Sequence, residues 1–227
     1  MTAKHLAIID YGMGNLHSVA SAIKSVAPDV RVDITADEKI IEQADHVIFP
    51  GVGAIRDCMA GINNIAAGEM VNHALHEGKP LLGICVGLQA LMSDSEENGG
   101  VSCLNILHGH VRRFSENTKD VDDTTIKIPH MGWNNVQQTI KHPLWNNIQQ
   151  DARFYFVHSY YVAEEGLSSQ RKPQGESSIV AGRCEYGVPF AAAVAENNLF
   201  AVQFHPEKSH TDGLQLLKNF VNWNGLD

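Results

Sequence analysis

The stretch Pro80-Leu-Leu-Gly-Ile-Cys85-Val-Gly87-Leu-Gln89-Ala-Leu-Met92 decides the fold. A short apolar run of strand character, Leu81, Leu82 and Ile84, ends at a cysteine. A helical pattern follows at once, with Leu88, Leu91 and Met92 on one face. Glycines stand two residues before and two residues after Cys85. This is the spacing of a strand-to-helix elbow that lifts a nucleophile clear of the backbone, with Cys in place of Ser. The turn is tight, so small residues must flank it. It leaves the side chain at the positive end of the next helix, which favours thiolate over thiol. A lone cysteine in an apolar run more often packs as a small core hydrophobe. The paired glycines and the strand-to-helix switch favour the elbow here.

Outward from the elbow, the first half of the chain alternates strand and helix. Strands are expected at Leu6–Ile9, Val30–Ile34, Val47–Phe49 and Leu81–Ile84. Helices are expected over Asn15–Val26, from about Ile55, and over Glu69–Glu77, where Gly78 and Pro80 supply the stop. Alternation of this kind builds a parallel sheet with helices on both faces, and its site lies at the C-terminal ends of the strands. The second half changes character. Phe154–Val162 is a dense aromatic and β-branched run. Ile179–Tyr186, Phe190–Glu196 and Leu199–Phe204 read as strands, with Asn197-Asn198 as a hairpin turn. Leu214–Trp223 reads as a closing helix. Ser93–Gly100 and Gly166–Ser178 read as loops. No repeat or linker interrupts the 227 residues, so one domain, 1–227, is expected: α/β, flavodoxin-like, with a mostly parallel central sheet flanked by helices and antiparallel strands in the C-terminal half.

Composition narrows the function classes. A net charge of −9 without a basic run argues against nucleic acid. No apolar run is long enough to span a bilayer, and with Met1–His5 running straight into the first strand no secretory leader is expected. The four cysteines lack the spacing of a disulfide framework or a metal site, which fits a reducing cytoplasm. His108-Gly-His110 is the one tight histidine pair and reads as structural, so no metal is expected. Gly12-Met-Gly14 after the first strand, with Asp33 further on, imitates a dinucleotide fingerprint, but His17 stands where the third glycine belongs. No cofactor is expected.

Two further segments complete a chemistry around Cys85. In Leu199-Phe-Ala-Val-Gln-Phe204-His205-Pro206-Glu207-Lys208-Ser209, Pro206 biases His205 toward extended backbone. Residues i and i+2 then face one side, so His205 and Glu207 share a pocket. A thiol nucleophile needs a base, and the base needs a third group to fix its tautomer. Cys85, His205 and Glu207 supply that set. Val47-Ile-Phe49-Pro50-Gly51-Val52-Gly53 is a buried strand running into a glycine loop. There, backbone N–H groups of Gly51 and Val52, with Val86 at the elbow, can meet an oxyanion. If the Gly51–Val52 peptide turns away from Cys85, that hole is gated. If it already faces inward, the hole is preformed.

Together these segments resemble the class I, triad-type glutamine amidotransferases, over essentially the whole chain. Ile9-Asp-Tyr-Gly-Met-Gly-Asn-Leu16, Pro129-His-Met-Gly-Trp-Asn134, Phe156-Val-His-Ser-Tyr160 and the ending at Ser209 are similar to the histidine-pathway branch of that family. The resemblance implies that Cys85 attacks the side-chain amide of L-glutamine, His205 shuttles the proton and Glu207 orients it. A γ-glutamyl thioester forms, ammonia leaves, and water releases glutamate. It also implies glutamine contacts at Gly53, Gln89, Ser159 and Tyr160, and interface or gating positions at Asn15, Trp133 and Lys208. The implied partner is a (β/α)8-barrel cyclase subunit in a heterodimer, to which the ammonia passes. Val86 stands where the family often has Leu, and Ala201 where Gly is common. The alternatives are a glutaminase serving another synthase and a non-catalytic flavodoxin-like module with a structural Cys85. A cysteine hydrolase with its His directly after the nucleophile is disfavoured, because Val86 follows Cys85.

Overall fold

The computed structural model describes residues 4–119, 122–169 and 178–226. A nine-stranded sheet organises them. Five neighbours run parallel, in the order Leu199–Val202, Leu81–Cys85, His46–Gly51, His5–Ile9 and Arg31–Thr35. Beyond Leu199–Val202 the sheet continues antiparallel through Val188–Glu196, Val180–Tyr186, His130–Gln138 and Ala152–His158. The inner parallel strands are largely apolar because both faces are covered, while the edge strand Arg31–Thr35 carries Arg31 and Asp33 and buries no residue fully. Leu81–Cys85 and Leu199–Val202 are fully buried. The turn at Asn197-Asn198 forms, with Asn197 at φ 51°.

The helices pack in two groups: Leu16–Val26 lies against His210–Asn222, and Ile55–Asn64 lies against Ala67–His76 and Val86–Ala90. None is long and apolar enough to cross a membrane. The last helix begins at His210, one turn before the expected Leu214. Its first turn, His210-Thr-Asp-Gly213, carries no apolar stripe, and Gly213 is there for space: a Cβ on it would sit 2.1 Å from the Pro206 carbonyl.

Three expectations need correction, and one strand was not expected. The run Phe154–Val162 is two strands, Ala152–His158 and Tyr160–Val162, which part at Ser159 into different sheets. His130–Gln138 is a nine-residue strand that apolar alternation did not signal, because Met131 and Trp133 face outward. The loop Ser93–Gly100 holds the two-residue strand Asp94–Ser95, which joins Val101–Ser102, His110–Arg113 and Tyr160–Val162 in a small second sheet. In the loop Gly166–Ser178, Ser168–Ser169 pairs with Leu107–His108, and residues 170–177 lie outside the described residues.

Candidate active site

Cys85 ends its strand at φ 54°, ψ −111°, a conformation that L-residues avoid and that costs about 1–3 kcal/mol unless its surroundings impose it. The surroundings do impose it. A Cβ on Gly87 would lie 2.0 Å from the Phe49 carbonyl, so the elbow helix sits directly on the neighbouring strand. A Cβ on Gly83 would lie 2.8 Å from the Ala201 Cβ. Both glycines of the motif are therefore required by contact, and Ala201 fits because Gly83 faces it.

His205 and Glu207 meet as the i, i+2 spacing requires. His205 Nδ1 and Glu207 Oε1 are 2.9 Å apart, with the Glu207 side chain sealed from solvent. His205 Nε2 has no other hydrogen-bond partner among the described residues, and Cys85 is the group it faces. Burial works to lower the imidazole pKa, yet the Cys85 sulfur it faces and the hydrogen bond to Glu207 raise it to about 10. Burial likewise works to raise the Glu207 carboxyl, but the bonds from His205 and Asn15 hold it below the ordinary range. The imidazole thus stands between a carboxylate and a sulfur, both of which favour its protonated form.

A cavity of about 590 Å³ opens over these groups. Val52, Gly53, Cys85, Val86, Gln89, Ser159, Tyr160 and His205 line it, together with Asn15 and Lys208. Gly51 lies behind the wall, packed against the Tyr11 hydroxyl, Val86 and Gly87. Asn15 was expected at an interface. It precedes the helix Leu16–Val26 without capping it, and its amide donates to Glu207 Oε1 at 3.1 Å. Trp133 is 36% exposed on the outer face of its strand, with its ring stacked on His210 at 5.0 Å.

The register of the strand fixes the direction of the glycine-loop peptides. Val47 N–H donates to the Pro80 carbonyl, and the parallel register runs in step to Gly51 opposite Cys85. In that phase a residue donates to the position before its partner and accepts from the position after it. Gly51 therefore presents its carbonyl toward the Val86 amide, and the Gly51–Val52 peptide directs its N–H away. In this arrangement the Gly51–Val52 N–H is not offered to Cys85.

Three residues at the site escaped sequence reasoning. Gln203 is fully buried, and its Nε2 lies 3.7 Å from Cys85 Sγ. Its Oε1 accepts from Gln89 Nε2 at 3.0 Å, and the same Gln89 amide donates to the Tyr160 carbonyl at 2.9 Å. Gln203 stands two residues before His205, so strand alternation could have placed it on the site's side. Glu97 puts a carboxylate on the cavity wall, where it also accepts from Ile55 N–H at 3.0 Å. His158 donates from Nδ1 to the Tyr160 carbonyl at 2.8 Å, which leaves its Nε2 to accept from His130 Nδ1 at 3.0 Å. Nothing in the local sequence marks Glu97, and His158 stands inside the motif Phe156–Tyr160 without a role of its own there.

Residues of the two patterns set aside in the sequence pair with their neighbours. Asp33 is engaged by His5 and Arg31 at 2.8 and 2.6 Å. His110 pairs with Asp94 at 2.8 Å. Among the described residues, no group of His, Cys, Asp and Glu is arranged to hold a metal ion.

The sequence matches the family glutamine amidotransferase class-I over residues 7–223. It is 53% identical over 220 residues to the imidazole glycerol phosphate synthase subunit HisH of Pseudomonas putida, covering 97% of this chain and 98% of that one. The subunit of the same name from Nitrosococcus oceani is 52% identical over 221 residues, at 97% and 98% coverage. Among solved structures, PurLQS from Thermotoga maritima superposes with a TM-score of 0.67 at 16% identity, over 97% of this chain and 98% of that one. The glutaminase domain of Trypanosoma brucei CTPS with bound acivicin gives 0.65 at 19% identity, over 97% and 92%. At those identities the superpositions speak for the fold alone.

Proposed function

The chain belongs to the class-I glutamine amidotransferases, and from that premise we propose that it is the glutamine-hydrolysing subunit of imidazole glycerol phosphate synthase, acting through Cys85, His205 and Glu207. The observation that carries the assignment of roles is the buried His205–Glu207 pair, whose free Nε2 faces a cysteine on a strained elbow. Cys85 sulfur attacks the side-chain carbonyl carbon of glutamine. Negative charge collects on the former carbonyl oxygen, where the Val86 and Val52 amides are the nearest candidate donors once the glycine-loop peptide has turned. His205 gives its proton to the departing ammonia, leaving a γ-glutamyl thioester. It then takes a proton from water, which attacks the thioester and releases glutamate. Glu207 holds Nδ1 and so fixes which nitrogen shuttles the proton.

Substrate contacts follow from the wall of the cavity. Glu97 offers a carboxylate to the α-ammonium of an amino acid, and the segment Ser159–Tyr160 offers backbone groups to its α-carboxylate. Gln89 is held by Gln203 and Tyr160 one helical turn from the nucleophile. Gly53 leaves room beside Val52. The ammonia serves a (β/α)8-barrel cyclase subunit in a heterodimer, which makes imidazole glycerol phosphate and an aminoimidazole carboxamide ribonucleotide for histidine biosynthesis. Residues 1–227 act as one glutaminase domain. A reducing cytoplasm suits its four free thiols.

Glutamate release from glutamine tests this reading. It is measured on the chain alone, then with a cyclase subunit carrying its ribonucleotide ligand, beside Cys85→Ala. Strong activation by the liganded cyclase, lost in Cys85→Ala, is the expected result. Full activity without any partner would point to a glutaminase of another synthase. Absence of activity even with the cyclase would leave the non-catalytic reading.

A further inference from the structure

Two buried donors behind the glycine loop take no part in the chemistry above. Tyr11 donates its hydroxyl to the Pro50 carbonyl at 2.7 Å. Cys58, fully buried on the helix Ile55–Asn64, donates its thiol to the Val52 carbonyl at 3.3 Å. Burial pushes the Tyr11 phenol well above its usual value and the Cys58 thiol up to about 11. Both groups therefore keep their protons and remain donors at any working pH.

The two carbonyls belong to the peptides on either side of one unit. Pro50 contributes its carbonyl to the Pro50–Gly51 peptide, and Val52 contributes its own to the Val52–Gly53 peptide. Between them lies the Gly51–Val52 peptide, which presents its carbonyl, not its N–H, on the Val86 side. To offer its N–H to an adduct on Cys85, that peptide must turn over. Rotation about ψ of Gly51 and φ of Val52 accomplishes this while both neighbours stay still. Space behind the loop is scarce: a Cβ on Gly51 would stand 2.5 Å from the Tyr11 hydroxyl and 2.9 Å from the Val86 Cβ.

We propose that Tyr11 and Cys58 are positioning residues for the oxyanion hole: they hold the two flanking peptides, confine the loop's motion to the single Gly51–Val52 peptide, and so set the direction of its N–H when the tetrahedral adduct forms. This rests on the glutaminase reading above. A pinned loop has two discrete arrangements. An unpinned loop spreads its N–H over many directions, and an oxyanion donor is effective only when aligned.

The test uses Tyr11→Phe, which deletes one hydroxyl and keeps the ring, together with Cys58→Ala and Cys58→Ser. Each is assayed for glutamine hydrolysis in complex with the liganded cyclase subunit. Thermal unfolding and the alkylation rate of Cys85 by iodoacetamide serve as controls. In Tyr11→Phe and Cys58→Ala, kcat is expected to fall at least about tenfold, part of the about 10²–10³ that a lost oxyanion donor costs. KM for glutamine should stay within about twofold, since ground-state binding is untouched. Alkylation should match the parent, because Cys85 and His205 are intact. Cys58→Ser, which restores a donor to the Val52 carbonyl, should recover kcat. Parent-like kcat in Tyr11→Phe, a loss confined to KM, or equal loss in Cys58→Ser and Cys58→Ala would each overturn the proposal. A parent complex without Cys85-dependent glutamate release would instead overturn the glutaminase reading, a result independent of any difference among the variants.

Discussion

Two histidines near Cys85 titrate in opposite directions, and each leaves a mark on stability. His158 is driven down by burial, then by His130 beside it, from 6.5 to about 3. The folded state therefore binds that proton more weakly than the unfolded chain. Its contribution is complete above pH 6.5 and is lost as pH falls toward 3, at up to about 1.4 kcal/mol per pH unit. His205 is raised to about 10, so its contribution is complete below pH 6.5 and is lost as pH rises through 10. The urea midpoint should accordingly be greatest near neutral pH and decline on both sides. His158→Gln should flatten the acid limb, and His205→Gln the alkaline limb. An acid limb of unchanged steepness in His158→Gln would refute the first assignment, and an unchanged alkaline limb in His205→Gln the second. Cys85, His205 and Glu207 were legible in the sequence because each sits in a rigid local pattern, an elbow or an extended X-Pro pair. Gln203 was not, because between Val202 and Phe204 it reads as part of an apolar run. His158 acts through a contact with His130, 28 residues away in sequence, which no local pattern encodes.

At the scale of the element, the elbow joins three pieces of backbone. The strand Leu81–Cys85 lies between His46–Gly51 and Leu199–Val202, and the helix Val86–Ala90 folds back onto the first of these. Gly87 is the closest approach, with the Phe49 carbonyl 2.0 Å from where a Cβ would stand. A carbonyl in a central strand cannot move aside as a flexible side chain would. Gly87→Ala should therefore cost more than the about 1–3 kcal/mol of ordinary overpacking. It should also displace Cys85 from His205, so that glutaminase activity falls further than stability alone explains. Thermal unfolding and kcat measured below the transition will check this, and a Gly87→Ala variant with parental melting would show that the helix can lift off the strand freely. The same contact explains why the parallel half of the fold was readable: buried strands and glycine-spaced turns carry their own signals. The antiparallel half was less so. His130–Gln138 turns Met131 and Trp133 outward, and Tyr160–Val162 leaves the main sheet at Ser159, a topological change without a sequence marker.

On the whole molecule, the exposed large apolar side chains among the described residues are Met131, Trp133 and Leu226. Two of the three sit on one strand, just beyond Pro129, which lines the cavity mouth. Asn15 and Lys208 line the same cavity. A face that pairs an exposed indole and thioether with a catalytic opening has the composition of a docking centre, where aromatic anchors dominate binding. The proposed cyclase subunit would then cover the mouth through which ammonia leaves, keeping it from bulk water. The strand that carries this face also carries His130, and the hydrogen bonds continue from His130 to His158, from His158 to the Tyr160 carbonyl and from there to Gln89. Trp133→Ala should weaken the complex with the cyclase by at least about tenfold, the scale of a central aromatic anchor. Because the ring rests on His210 at the surface and not in the core, unfolding of the free subunit should change little. Calorimetric titration of the cyclase with the parent, Trp133→Ala and Met131→Ala chains measures the first quantity, and a thermal melt of each free chain measures the second. Unaltered affinity in both variants would place the docking face elsewhere, and weakened affinity accompanied by a fallen melting temperature would make Trp133 a folding residue and not an anchor.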